Sequence, residues 1–372
     1  MSKLIKYKFS DLYEMSSGIS STKEQAGHGF PFVSFSTVFN NYFLPDELPE
    51  LMNTTEKEQD IFSVKKDDIF ITRTSETVDA LAMSCVATKD YPKATFSGFV
   101  KRLRPKTSGI VYSKYIAFFL RSRYFRKVID CNTIMTLRAS FNEDMFSFLY
   151  LYLPEYEEQV RIGDLLYKIE SKMQLNRKIN DNLSAMAYDT YMHTFYGKKP
   201  NGKLDDILIE NEKSKVQVGE AKDSDGDYPF FTSGEAILRW KDSFIDGRNC
   251  FLNTGGNADV KFYVGKAAYS TDTWCISAKQ NLADYMYLLL MSIKPELNKK
   301  FFQGTGLKHL QKPLLRDRSI YIPDFDEISA FNSQVQNWFD IIAENTRENQ
   351  HLTALRDWLL PTLMNGQATI SE

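Results

Sequence analysis

Pro154-Glu155-Tyr156-Glu157-Glu158 opens a stretch that the chain repeats 169 residues later as Pro323-Asp324-Phe325-Asp326-Glu327. Carrying that offset forward aligns Asn176 with Asn345 and Asn180 with Asn349. At alternating four- and three-residue steps the first copy reads Ile162, Leu166, Ile169, Met173, Asn176, Asn180, Leu183, Ala187, Thr190. The second reads Phe331, Val335, Trp338, Ile342, Asn345, Asn349, Leu352, Arg356, Leu359. A 3.5-residue repeat keeps one stripe of a helix facing a partner helix, so the spacing predicts a coiled-coil seam. Each copy begins with a proline, whose missing N–H costs nothing there, followed by acids that suit the positive end of the helix dipole. Each ends near a glycine, Gly197 or Gly366. One such stripe alone describes an ordinary amphipathic core helix. Two copies with the same polar interruption predict two helices that pair with each other. A buried asparagine in a seam sacrifices stability and fixes register, so Asn176, Asn180, Asn345 and Asn349 are the candidate register residues, brought together by antiparallel pairing. At about 1.5 Å rise per residue, a helix of roughly 40 residues runs about 60 Å. That length suits a spacer between two globular halves.

The segments before the helices correspond as well, in the same order. Lys8-Phe9-Ser10-Asp11-Leu12 matches Lys203-Leu204-Asp205-Asp206-Ile207, and Phe30-Pro31-Phe32-Val33 matches Tyr228-Pro229-Phe230-Phe231. Asp68-Ile69-Phe70-Ile71-Thr72-Arg73 matches Asn249-Cys250-Phe251-Leu252-Asn253-Thr254, and Met135-Thr136-Leu137-Arg138 answers Gly304-Thr305-Gly306-Leu307-Lys308. The chain is thus one unit repeated, the first globular half being about 26 residues longer. Short strand-like runs broken by Gly, Asn and Ser turns, with a helical stretch at 109–128 and another at 282–302, predict an α+β fold in each half. The expected division is 1–153 for the first globular domain, 154–199 for the first long helix, 200–322 for the second domain and 323–372 for the second helix and tail.

With 372 residues and 43% hydrophobic content, the chain can bury more than one core. Met1-Ser2-Lys3-Leu4-Ile5-Lys6 lacks the apolar run of a signal peptide and no stretch reaches membrane-spanning length, which predicts a cytoplasmic protein with no membrane partner. Cys85, Cys131, Cys250 and Cys275 form no Cys-x-x-Cys pair, and His28, His193, His309 and His351 form no ligand cluster. No metal site is therefore expected. The net charge of −2 conceals segregation. Twelve Lys and Arg lie between Lys89 and Arg138 against Asp90 and Asp130 alone, and 294–318 carries seven against Glu296 and Asp317. A solvated face balanced by acids elsewhere is one reading of such clusters. Their recurrence before both long helices favours a phosphate-facing surface.

The order of globular half, long helix, globular half, long helix resembles the specificity (S) subunit of type I restriction-modification systems over nearly the whole chain. The closest local matches are Tyr152-Leu153-Pro154-Glu155-Tyr156-Glu157-Glu158-Gln159 with Ile162, and Tyr321-Ile322-Pro323 with its helix. Tyr228-Pro229-Phe230-Phe231-Thr232-Ser233-Gly234 and Asn253-Thr254-Gly255-Gly256 also look like turns of such domains. Ile328 departs from the pattern where the first helix keeps Gln159. The resemblance implies two unlike target-recognition domains that each read half of an asymmetric, bipartite double-stranded DNA site. It further implies two methyltransferase (M) subunits that dock on the helices and carry S-adenosylmethionine for adenine methylation, and restriction/translocase (R) subunits that cleave. No cofactor is expected on this chain. Phosphate contacts would come from the basic clusters, Lys101, Arg102, Arg104 and Arg138 among them, and sequence would be read by polar loop side chains. Candidates are Arg73, Thr74 and Ser75 in the first half, and Thr232, Ser233, Asn253, Asn257 and Lys308 in the second. Turn formation and capping are the competing roles for every one of these loop residues.

Catalytic-looking strings fail physical checks. Phe302-Gln303-Gly304-Thr305-Gly306 has the form of a methyl-donor loop but follows Lys299-Lys300 rather than a buried strand, and no Asn/Asp-Pro-Pro-aromatic string exists. Gly197-Lys198-Lys199-Pro200-Asn201-Gly202-Lys203-Leu204 approximates a phosphate-binding loop, yet Leu204 stands where a Ser or Thr would hold magnesium. The expectation is a non-catalytic recognition subunit; the alternative is a coiled-coil scaffold whose globular ends bind proteins.

Overall fold

A computed structural model of the chain describes residues 3–20, 22–75, 80–133 and 139–368. It divides into two compact units, residues 1–172 with 352–372, and residues 173–351. Both are α+β, and one plan serves both. In the first unit a four-stranded antiparallel sheet has the spatial order Tyr13–Ser17, Val100–Pro105, Ile69–Thr72, Ser84–Val86. The second unit repeats it as Leu208–Glu210, Thr273–Ala278, Arg248–Asn253, Val260–Val264.

The repeat extends to register. Ile69 pairs with Leu103 and Thr72 with Val100, as Cys250 pairs with Ile276 and Asn253 with Thr273. A one-residue slip would turn every side chain to the other face, so shared register means shared inward and outward positions. A three-stranded sheet recurs too: Phe32 lies parallel to Thr95 and Val33 to Phe96, as Phe230 lies against Ala268 and Phe231 against Tyr269. Each unit closes with a strand pair beside the start of its long helix, Ile5–Lys8 with Tyr150–Leu153 and Gly202–Lys203 with Ser319–Ile320.

The helical stretch expected at 109–128 is in fact two helices, Ser113–Phe119 and Arg123–Asn132. The Ser122 hydroxyl accepts from the Phe125 N–H and so restarts the chain as an N-cap. Ser113–Phe119 is buried on nearly every side. Its counterpart Ala283–Ser292 is likewise mostly buried, and the chain then passes through a wider helical turn over Leu297–Phe301.

The long helices are Tyr156–Thr194 and Phe325–Met364. In the first unit, Ile162 and Leu166 of one helix join Leu363 and Met364 of the other in the core around Tyr115, Phe118 and Phe119, and Arg356 reaches Glu170 at 3.1 Å. In the second unit, Ala187 and Tyr191 join Phe331, Val335 and Phe339 around Tyr285 and Leu289. Ascending numbers in one helix meet descending numbers in the other, so the pairing is antiparallel. The apolar stripe is broader than a coiled-coil seam because the helices also cover the units' own cores: Phe339 packs edge-on against Phe262 and Tyr287. No described helix is long and apolar enough to cross a membrane.

Candidate nucleic-acid interface

Within the second unit the asparagines meet as their spacing predicts. Asn176 donates to Asn349 Oδ1 at 3.0 Å and to Glu348 at 2.7 Å. Asn345 donates to Asn180 Oδ1 at 2.8 Å, while Asn349 and Asn180 donate to the backbone carbonyls of Met173 and Ile342.

The loop candidates gather at the same end of the two equivalent sheets. In the first unit the strand Ile69–Thr72 runs into Arg73, whose N–H donates to the Phe99 carbonyl at 2.9 Å and whose carbonyl accepts from Phe141 N at 2.8 Å. Thr74 and Ser75 then pair with Ser140 and Ala139. In the second unit Thr254 N donates to the Asp272 carbonyl and Thr254 O accepts from Leu310 N, both at 3.0 Å, in the same arrangement. The Ser233 and Thr254 hydroxyls converge on the Asp272 carbonyl, and Gly256 N donates to Lys308 O. Ser233, Asn257 and Lys308, far apart in sequence, are therefore neighbours in one loop cluster. Asn257 is exposed, and Ser233 and Lys308 are half-buried. Arg73 is exposed, and Thr74 and Ser75 are half-buried.

Thr232 and Asn253 are buried and occupied. Thr232 Oγ1 donates to Ala236 O and accepts from Gly234 N. The Asn253 amide donates to Gly255 O and Asn257 O and accepts from Asp259 N, which uses its donors and its acceptor to shape the loop. Its register counterpart Thr72 performs the same task, donating to Ala80 O and accepting from Met83 N. Unlike residues thus clamp equivalent loops.

The basic clusters are mostly consumed inside the protein. Lys101 is buried against Ser17, with Glu143 beyond it at 3.6 Å. Arg102 is buried on the Ser63 carbonyl at 2.7 Å, and burial pulls its pKa down. Arg104 grips the fully buried Asp68 with two bonds of 2.6 and 2.7 Å, and that hydrogen bonding holds its pKa up. Arg121 donates to the carbonyls of Val38, Phe39, Asn41 and Ser84, Arg126 to Leu81 O, and Lys114 pairs with Asp164. Between 294 and 318, Lys294, Lys300, Lys312, Arg316 and Arg318 pair with Asp259, Glu296, Glu210 and Asp205. Sequence counting could not find this, since the partners are carbonyls and acids remote in the chain. Arg123, Lys127 and Lys299 remain exposed. Arg138 lies outside the described residues.

The string Phe302-Gln303-Gly304-Thr305-Gly306 forms one side of a hairpin, Phe302 and Gln303 pairing with Leu310 and His309. Sequence reading also passed over Phe99 and Leu307, whose side chains stand exposed in these same two loop clusters.

A family model for the type I restriction modification DNA specificity domain matches residues 2–185 and again 198–351, one match for each half of the repeat. The chain belongs to the type I restriction-modification DNA specificity family. It is 22% identical to the type I restriction enzyme MjaIX specificity subunit of Methanocaldococcus jannaschii, an alignment covering 98% of this chain and 93% of that protein. It is 25% identical to the EcoDI specificity subunit of Escherichia coli over 44% of this chain and 37% of that protein. The crystal structure of a type I restriction-modification S subunit from M. genitalium shares the fold, with a TM-score of 0.65 at 12% identity over 97% of this chain and 96% of that one.

Proposed function

We propose that the chain is a non-catalytic recognition subunit that reads an asymmetric, bipartite DNA target and directs adenine methylation by partner methyltransferase subunits, and cleavage when restriction/translocase subunits join. The observation that carries this is a sheet repeated in identical register whose equivalent strand ends run into unlike residues: Arg73, Thr74 and Ser75 against Thr254, Gly255 and Gly256, with Ser233, Asn257 and Lys308 gathered around the second of them. A common scaffold with different polar tips is what two different half-sites require. Lys101, Arg102, Arg104, Thr232 and Asn253 serve from within, holding strands and loops in place. Residues 1–153 and 200–322 act as target-recognition domains. Residues 154–199 and 323–372 act as spacers, with Asn176, Asn180, Asn345 and Asn349 setting register. The repeat supplies two related docking surfaces, which supports two methyltransferase subunits per chain working in the cytoplasm.

The test is duplex binding by the chain together with its methyltransferase partner, followed by fluorescence anisotropy across a salt series. Sequence-specific binding that weakens steeply with salt, and that Arg73→Glu or Lys308→Glu reduces at least tenfold, is expected. Failure to prefer any bipartite duplex with the partner present would overturn the reading.

A further inference from the structure

We propose that Phe99 is an apolar wedge that enters a base step of the first half-site, making it a DNA-distorting contact of the first recognition domain; this rests on the DNA-reading function above. A single exposed apolar side chain is ordinary on a protein surface, but three observations set this one apart. Phe99 is 63% exposed, and its ring has no aromatic partner among the described residues. It stands on the residue against which the Arg73 N–H is bonded, and Arg73 Nη1 reaches the adjacent Gly98 carbonyl at 3.4 Å. A cation and an aromatic ring are therefore offered from one tip.

The tip is also held rigidly. Ser97 N donates to Val33 O, Gly98 N to Ile19 O at 2.7 Å, Phe99 N to Ser97 Oγ, and Val100 N back to Ser97 O. Gly98 fits closely there, since a Cβ would lie 3.0 Å from the Ile19 carbonyl oxygen and would push the neighbouring backbone by a few tenths of an ångström. A turn whose N–H groups are all bonded presents its ring with little left to order on binding.

The second unit carries a counterpart in the equivalent cluster, reached from a different loop. Leu307 is 67% exposed, and its Cδ2 lies 3.7 Å from a Cβ built on Gly255, the second residue beyond the strand end Asn253. Apolar wedges of these residue types unstack base steps and kink the duplex in other protein–DNA complexes, and base–aromatic stacking makes a large, sequence-tolerant contribution. The ring of Phe99 supplies stacking that Leu307 cannot, so the first half-site should show the stronger distortion.

The experiment uses the full chain assembled with its methyltransferase partner and duplexes carrying 2-aminopurine at each adenine of the two half-sites in turn. With the unaltered protein, fluorescence should rise at one step of the first half-site. F99A should abolish that rise and weaken binding roughly 10- to 100-fold, while F99W restores both. Because the Phe99 backbone makes the turn's bonds, F99A leaves the fold intact, checked by an unchanged melting temperature. Unchanged fluorescence and affinity in F99A would overturn the wedge. So would an F99A protein that loses its methyltransferase partner on size exclusion while retaining its share of DNA affinity, since that places Phe99 in a protein contact. If the unaltered complex binds no bipartite duplex, the DNA-reading function itself fails and the wedge with it.

Discussion

The two units anchor their long helices with different chemistry. In the first, Gln159 is buried and its amide donates to the Ile110 and Pro154 carbonyls and accepts from Tyr112 N, at 3.0, 2.9 and 3.0 Å. In the second, the equivalent position holds Ile328, and Asn332, one turn further on, donates to the Asn281 carbonyl at 2.9 Å. The residue matching Asn332 in the first helix is Gly163, where a Cβ would lie 2.7 Å from Tyr115 N. Each helix therefore carries one long polar anchor in its first two turns, and where the anchor moves, its neighbour changes to make room. The strand ends differ in the same way. Arg104 with Asp68 stays within the first sheet. Arg248 instead links its strand to Asp284 at 2.7 Å and to Asp340 on the second long helix. What the repeat keeps is the satisfaction of buried backbone groups, not the residues that satisfy them.

The anchors give the largest expected contrast. Gln159→Leu strands one backbone donor and two carbonyls in a buried site and should cost about 3–4 kcal/mol, whereas Asn332→Leu removes one bond and should cost about 1–2 kcal/mol. Chemical denaturation, with hydrogen exchange at Tyr112 and Asn281 to localise the opening, measures both. Equal costs would break the comparison.

A smaller difference should appear with pH. Burial pushes the Asp284 carboxyl to about 6, with the Arg248 guanidinium pulling against it and Asp340 adding to the rise. Between pH 4 and 6 the unfolded chain releases this proton while the folded unit retains it, so the contribution is present at low pH and is lost as pH rises through about 6. The second unit should lose on the order of 2–3 kcal/mol over that window. Asp284→Asn should flatten the profile; a slope that persists in the variant would assign it to another group.

Much of the architecture was legible because the long helices carry a periodic stripe and a polar interruption at one fixed offset. The Asn176–Asn349 and Asn180–Asn345 contacts follow from that pattern directly. Strand correspondences such as Asp68–Arg73 with Asn249–Thr254 were legible as short apolar runs entering polar turns, and the shared register supports them. The charge clusters misled, since Arg102 and Arg121 count as positive in the sequence whether they face solvent or bind buried carbonyls. Asn253 looked like a reader because an exposed amide and a loop clamp share one composition; only its three bonds tell them apart. Phe99 gives no signal in the sequence, where one phenylalanine beside a short strand has the pattern of a core residue.

The central proposal is that two unlike DNA readers share one scaffold and that the long helices serve as the spacer between their half-sites. Whole-genome methylation profiling of a host carrying the chain and its partner subunits tests it most directly, comparing the natural protein with one shortened by one heptad in both long helices. The account predicts a gene-dependent bipartite motif with two unlike ends, and in the shortened protein the same ends across a shorter gap. An unchanged gap, altered ends, or no motif that depends on the gene would contradict it.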